Sequence, residues 1–180
     1  MDSDQQQEIL VLRCQIGDRD AFEELFVKFQ PRLRYYLRHL DRSSFESEDI
    51  LQEIWLMVLR KIGNLKEPQA FTAWLYKIAR NMVYQRIKKD KKFIRLDEEK
   101  LPPEDEVEND FAFSQEDAKR VQQAHNNIQP HHREVLTLFF LERLPYQAIA
   151  EITDCTIGTI KSRIYYAKKS LRKELETKYE

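Results

Sequence analysis

Glycine is very scarce here: 3 residues in 180, against abundant Gln, Glu, Lys and Arg. No run of alternating β-branched residues occurs either. Good helix formers without strand alternation favour helix over sheet, so an all-α protein is expected. A chain of 180 residues holds one ordinary domain or two small ones, each with a modest core.

Charge decides between one and two. The formal net charge is −1, but it is unevenly laid out. Residues 1–92 carry 17 Lys or Arg and 14 Asp or Glu, residues 93–117 carry 2 and 10, and residues 118–180 carry 11 and 7. The acidic stretch "LDEEKLPPEDEVENDF" holds Pro102 and Pro103 and has no helical apolar period, which reads as an extended, solvated linker. Two small helical domains, 1–92 and 118–180, joined by an acidic flexible linker at 93–117, are therefore expected. The linker's carboxylates either serve solubility or mimic nucleic acid and shield the basic faces.

Three main helices are predicted before the linker. The first starts near Asp18 as N-cap, with Phe22, Phe26, Phe29, Leu33, Tyr36 and Leu40 on one stripe and Pro31 kinking or breaking it. The second runs from about Ser47 to Gly63 with Glu48 and Asp49 in its first turn, where carboxylates suit the helix dipole. The third spans about Phe71 to Lys89. After the linker come helices near 115–127 and 131–143, with Pro130 and Pro145 suited to first helical positions. The last two helices, joined by "TDC", form a helix-turn-helix.

Cys155 to Lys173 contains six Lys or Arg and no acid. At 100° per residue, Ile157, Ile160, Ile164, Ala167 and Leu171 share an arc of about 80° and face the core. Thr159, Ser162, Tyr166, Lys169 and Lys173 lie opposite, flanked by Lys161, Tyr165 and Arg172. A cationic, hydroxyl-bearing and aromatic face contacts phosphates and base edges of duplex DNA. On the third helix Phe71, Trp74, Leu75, Ile78 and Met82 are expected inside. Lys77, Asn81, Tyr84 and Lys88 crowd the other side, a mixture suited to single-stranded DNA or, more simply, to solvent. On the second helix Leu51, Ile54, Trp55, Val58 and Ile62 form the core stripe, leaving Leu56 stranded among Asp49, Gln52, Glu53 and Arg60. That surplus fits a protein partner or a helix buried on two sides.

Other chemistries find little footing. His39, His125, His131 and His132 lack the spacing and the Cys pair of a zinc site, so no metal is expected. Cys155 reads as a small packing residue of the turn, with a redox sensor as the alternative. No phosphate-binding glycine loop or nucleophile elbow occurs, and the acids gather in the linker rather than in a pocket. Neither catalysis, nor a cofactor, nor a small-molecule substrate is expected. Two cysteines and no leader-like or long apolar segment indicate the cytoplasm and no membrane insertion.

Three segments, "EDILQEIWLMVLRKI", "FTAWLYKIARNMVYQRIKK" and "LPYQAIAEITDCTIGTIKSRIYYAKKSLRK", resemble in order and spacing the extracytoplasmic-function group of bacterial sigma factors. The likeness covers nearly everything from Asp18 to Leu175. It implies a transcription initiation factor that binds core RNA polymerase, recognises promoter −35 and −10 elements and assists melting. By that resemblance Asp49, Gln52, Glu53, Trp55 and Leu56 meet the polymerase. Asn64 and its loop, with Trp74, Lys77, Arg80, Asn81, Tyr84 and Lys88, open the −10 element and capture an unstacked base. Lys161, Ser162, Arg163 and Tyr165 fall on the −35-reading helix, beside Thr159, Tyr166, Lys169, Arg172 and Lys173. Arg163 points partly away from the outer face, which favours a phosphate contact or an intramolecular role for it.

An anti-sigma partner is implied as well. The sequence departs from the family pattern at Tyr166, where a basic residue is common, at Thr156, where Pro is common, and at Pro145, where Ser often caps. Two other readings compete: a dimeric helix-turn-helix regulator independent of the polymerase, which would bind a palindrome, and a small nucleic-acid enzyme, which would need a catalytic cluster.

Overall fold

The computed structural model describes residues 3–40, 48–90 and 115–176, which form eight α-helices and no strand. The chain divides into two compact units, Met1–Ile94 and Arg95–Glu180. The expected linker lies outside the described residues except for its last three positions, which open a helix; Ser47 lies outside them too.

The first unit opens with a helix that the sequence reading did not anticipate, α1 (Ser3–Gln15), packed on α2 (Arg19–Leu40). Its aliphatic residues are scattered round the axis, so no stripe marks it. Val11 and Cys14 are buried, whereas Ile9, Leu12 and the following Ile16 are exposed. Polar side chains anchor it instead. Gln7 Nε2 donates to Thr72 Oγ1 at 3.0 Å, and Gln15 Nε2 donates to the carbonyls of Ile62 (3.0 Å) and Leu65 (2.7 Å). Burial pushes the Cys14 thiol up to about 11, which keeps it neutral packing material.

The α1–α2 turn depends on Gly17, whose φ of 88° only glycine adopts without strain. Asp18 then caps α2: its Oδ1 accepts the Ala21 amide at 3.1 Å and its Oδ2 accepts Arg13 Nε at 2.8 Å. The Ala21 amide first, and Arg13 second, hold the Asp18 carboxyl below the usual carboxylate range. Pro31 does not break α2. It is exposed, and the carbonyl it deprives of a partner belongs to Val27, 65% exposed, where water can replace the lost bond.

Leu25, Phe29, Leu33, Tyr36 and Leu37 of α2 meet α3 (Glu48–Lys61) and α4 (Phe71–Asp90) in the core. Edge-on ring pairs lock it, Phe29 on Phe71 at 5.3 Å and Tyr36 on Tyr76 at 4.9 Å. Phe22 and Phe26 sit at its margin. The buried arc of α4 is Phe71, Leu75, Tyr76, Ala79, Arg80 and Val83, with Trp74, Ile78 and Met82 half-buried. That arc is rotated by roughly 100°, one residue step, from the expected one. Packing against both α2 and α3 moves its centre.

In the second unit, α5 (Gln115–Asn127) and α6 (Pro130–Leu136) precede a π-helical turn over Thr137–Leu141, so the single helix expected to Arg143 is instead interrupted. α7 (Tyr146–Thr153) and α8 (Ile157–Glu176) complete it. Pro145 stands one position earlier than expected, as the N-cap residue of α7. Ile149, Ile152, Ile160, Ile164, Ala167 and Leu171 are buried together with Val135 and Leu138. Ile157, assigned to the core by periodicity, is instead 44% exposed, at the first position of α8.

Candidate polymerase and DNA interfaces

On α3, Asp49, Gln52, Glu53, Leu56, Leu59 and Arg60 are all exposed on one face, with Leu56 at 52% and Leu59 at 54%. Covering a leucine is worth about 1.5–3 kcal/mol, and two are left in water on this face. Leu59 belongs to this face as well. Trp55 does not: it is 5% exposed, its Nε1 donates to Gln30 Oε1 at 2.6 Å, and Phe22 and Phe26 close on its ring. It supports the face from behind. Arg34 pairs with Glu48 at the start of α3, and Arg86 Nη2 of α4 meets Glu53 Oε1 at 2.7 Å.

On α4, Asn81 and Lys88 are exposed while Lys77, Tyr84 and Trp74 are half-buried. Rotation of the buried arc brings the Trp74 position beside the Lys77–Asn81–Tyr84 side, so an indole, a phenol, an amide and two amines border one strip. Arg80 is withdrawn from it: the residue is 6% exposed and its guanidinium carbon lies 4.3 Å from the centre of the Tyr84 ring. It stiffens the strip rather than offering a free cation. Asn64 ends a short 3₁₀ turn, Ile62–Asn64, and is exposed. Gln15 of α1 holds that turn through two carbonyls, a support that no sequence pattern announced.

On α8, Lys161, Lys169, Arg172 and Lys173 are exposed, and Thr159, Tyr165 and Tyr166 are half-buried. Tyr165 and Tyr166 meet edge to face at 5.2 Å. Thr156 caps the helix, its Oγ1 accepting the Thr159 amide at 3.1 Å, which a proline could not do. Two expected contacts are buried. Ser162 is 1% exposed and its Oγ donates to the Gly158 carbonyl of its own helix at 3.0 Å. Arg163 is 5% exposed and donates from Nη1 to Cys155 Sγ at 3.2 Å.

Sequence reasoning passed over the π-helical turn, although "LFFLERLP" carries an apolar excess. Phe140 is 40% and Leu141 54% exposed, and Phe139 stacks on Tyr146 at 5.2 Å. Lys168 Nζ lies 5.4 Å from the Phe140 ring centre, and burial lowers its pKa. Among the described residues no three His, Cys, Asp or Glu side chains gather as a metal site needs. His39 and His125 are buried, within hydrogen-bonding distance of the Tyr35 carbonyl and the Thr137 hydroxyl. No described helix is long and apolar enough to cross a membrane.

Two family profiles match this chain, Sigma-70 region 2 over residues 25–93 and Sigma-70 region 4 over residues 118–171. The RNA polymerase sigma-H factor of Pseudomonas aeruginosa is 29% identical, covering 96% of this chain and 95% of its own length. The ECF RNA polymerase sigma-E factor of Haemophilus influenzae is 30% identical, covering 93% and 94%. The chain belongs to the extracytoplasmic-function sigma factors of RNA polymerase. This sigma factor is accordingly a transcription initiation factor, and membership favours that function over a polymerase-independent dimeric regulator.

Among solved structures, the sigma factor RpoE from Bartonella quintana, in complex with the anti-sigma factor NepR, is 25% identical with a TM-score of 0.62, covering 86% of this chain and 96% of its own. CnrH, in complex with the cytosolic domain of CnrY, shares the fold at a TM-score of 0.63 and 16% identity over 95% of this sigma factor and 97% of its own chain. The region 2 match contains α3 and α4 with both their outer faces, and the region 4 match contains the exposed cations of α8 up to its end at residue 171.

Proposed function

We propose that this sigma factor divides promoter recognition between its two units. Residues 1–92 bind core polymerase and the −10 element, residues 118–180 read the −35 element, and the acidic segment 93–117 joins them. The α3 face of Asp49, Gln52, Glu53, Leu56 and Leu59 is the polymerase contact, with Trp55 behind it. The α4 strip of Trp74, Lys77, Asn81, Tyr84 and Lys88, with Asn64 beside it, holds an unstacked −10 base. Extruding a base costs a few kcal/mol, so a strip that binds it only when extruded both melts and reads the promoter. Thr159, Lys161, Tyr165, Tyr166, Lys169, Arg172 and Lys173 form the −35 face.

The observation that carries this reading is the α8 face: four exposed cations with no carboxylate between Cys155 and Lys173, on a helix seated directly after a tight turn. The factor carries no chemistry of its own and works beside the polymerase in the cytoplasm. The RpoE structure, solved with an anti-sigma factor, supports a protein of that class as its restraint. Run-off transcription with purified core polymerase on a randomised promoter library tests the reading. Discrete transcripts dependent on this factor are expected; their absence from every template rejects it.

A further inference from the structure

We infer that Arg163 is a positioning residue for −35 recognition that acts through the Cys155 thiol and touches no DNA; the inference rests on the proposed reading of α8. The residue is 5% exposed. Nη1 donates to Cys155 Sγ at 3.2 Å, the thiol donates onward to the Thr153 carbonyl at 3.4 Å, and Thr153 Oγ1 donates to the Ile149 carbonyl at 2.8 Å. A thiol can accept and donate at once, so two bonds link the second turn of α8, through Cys155 in the connecting turn, to Thr153 at the end of α7, whose own hydroxyl bonds back into that helix.

The connection between the two helices is only Asp154, Cys155 and Thr156. Asp154 takes the left-handed conformation, φ 55° and ψ 41°, while the Cys155 amide closes on the Ala150 carbonyl at 3.0 Å. A turn this short fixes the approach of the helices but leaves their mutual angle to side chains. Recognition needs groups held within about 0.5 Å and 10–20° of their working geometry. Arg163 ties α8 back to the turn through the Cys155 thiol. A buried cation with its fork aimed inward cannot neutralise a phosphate, so it controls where Lys161, Tyr165 and Tyr166 sit without adding to the electrostatics of binding.

Salt dependence separates the two roles, because each phosphate contact contributes about 0.9 to the slope of log affinity against log salt. The assay uses holoenzyme reconstituted with core polymerase. Its probes are a promoter duplex recovered by the wild-type holoenzyme from a randomised library and a scrambled −35 duplex as competitor. Arg163→Gln is expected to lower the preference for the selected −35 sequence about tenfold with an unchanged slope, whereas Lys161→Ala flattens the slope by about 1. Arg163→Lys, which keeps the charge without the planar fork, is expected to fall with Arg163→Gln. Cys155→Ser, still donor and acceptor, is expected to stay within about twofold of wild type, and Arg163→Gln with Cys155→Ala to be no worse than Arg163→Gln alone.

A slope flattened by Arg163→Gln, retention by Arg163→Lys, or additive losses with Cys155→Ala would overturn the inference. If Arg163→Gln fails to fold by thermal melting, the Arg163→Lys and Cys155→Ala cycle decides the same question. If Lys161→Ala and Lys173→Ala also leave the slope unchanged, the −35 reading of α8 falls with it.

Discussion

The two helices assigned to DNA, α4 and α8, share a composition of cations, hydroxyls and aromatics but expose it differently. α8 leaves Lys161, Lys169, Arg172 and Lys173 in water and half-covers its tyrosines, giving a charged surface fit for the backbone of a duplex. α4 exposes Asn81 and Lys88 and half-covers Trp74, Lys77 and Tyr84, giving a strip on which a free base can stack. Each helix also withdraws one arginine, Arg80 onto the Tyr84 ring and Arg163 onto the Cys155 thiol. On the proposed reading, similar composition serves two kinds of recognition, and side-chain burial rather than charge count separates them.

The sharpest way to break this contrast is to neutralise Lys161, Lys169, Arg172 and Lys173 together. The salt slope of promoter binding is expected to drop by about 4 units, at about 0.9 for each phosphate lost. Neutralising Lys77 and Lys88 should lower it by at most about 2. Equal losses from the two helices would mean that both lie on duplex backbone.

Core truncation tests whether each surface depends on its own unit. Leu75→Ala in α4 and Ile160→Ala in α8 each empty a site of no exposure and should cost about 2–5 kcal/mol. By hydrogen exchange, each loss is expected to stay within Met1–Ile94 or Arg95–Glu180. Exchange that rises in both units after either change would contradict separate cores.

Tyr84→Ala should cost about 1–3 kcal/mol of promoter opening, the worth of one base stacked on an aromatic ring. The measure is 2-aminopurine fluorescence within the −10 element. Tyr84→Phe should retain opening, and the −35 footprint should survive both changes. Loss of that footprint would mean Tyr84 is not confined to the −10 step.

Much of this was legible in the sequence wherever one face is buried and the other wet. The stranded Leu56 and the α8 cations lie where periodicity puts them. Rotation of α4 by about one residue was not legible, since a helix buried against two neighbours carries apolar residues on both flanks and its stripe has no single centre. The burial of Arg80 escaped for a related reason: arginine is read as surface, yet this one finds a planar partner within one helical turn. For Arg163 an intramolecular role stood beside a phosphate contact, but its partner, the Cys155 thiol across a tight turn, was not legible. α1 was hidden because Gln7 and Gln15 anchor it, and the π-helical turn because nothing in "TLFFL" distinguishes it from ordinary helix.

A small effect checks α1 against the rest. The Asp18 carboxyl titrates lower in the folded chain than its ordinary value of about 3.9, so its contribution is present above that value and lost as pH falls through the lower folded one. Asp18→Asn keeps a capping oxygen and gives up the Arg13 pair. Its melting temperature should lie slightly below wild type near neutrality and converge with it in acid, below about pH 4. A constant difference across that range would assign the loss to packing instead.

Permanganate footprinting of the reconstituted holoenzyme on a promoter it selects tests the division of labour most directly. Reactive thymines should appear at the −10 element only, vanish with Tyr84→Ala, and persist at saturating protein when the α8 cations are neutralised. Melting that is indifferent to Tyr84, or that requires the α8 cations even at saturation, would contradict the assignment of strand capture to α4 and duplex binding to α8.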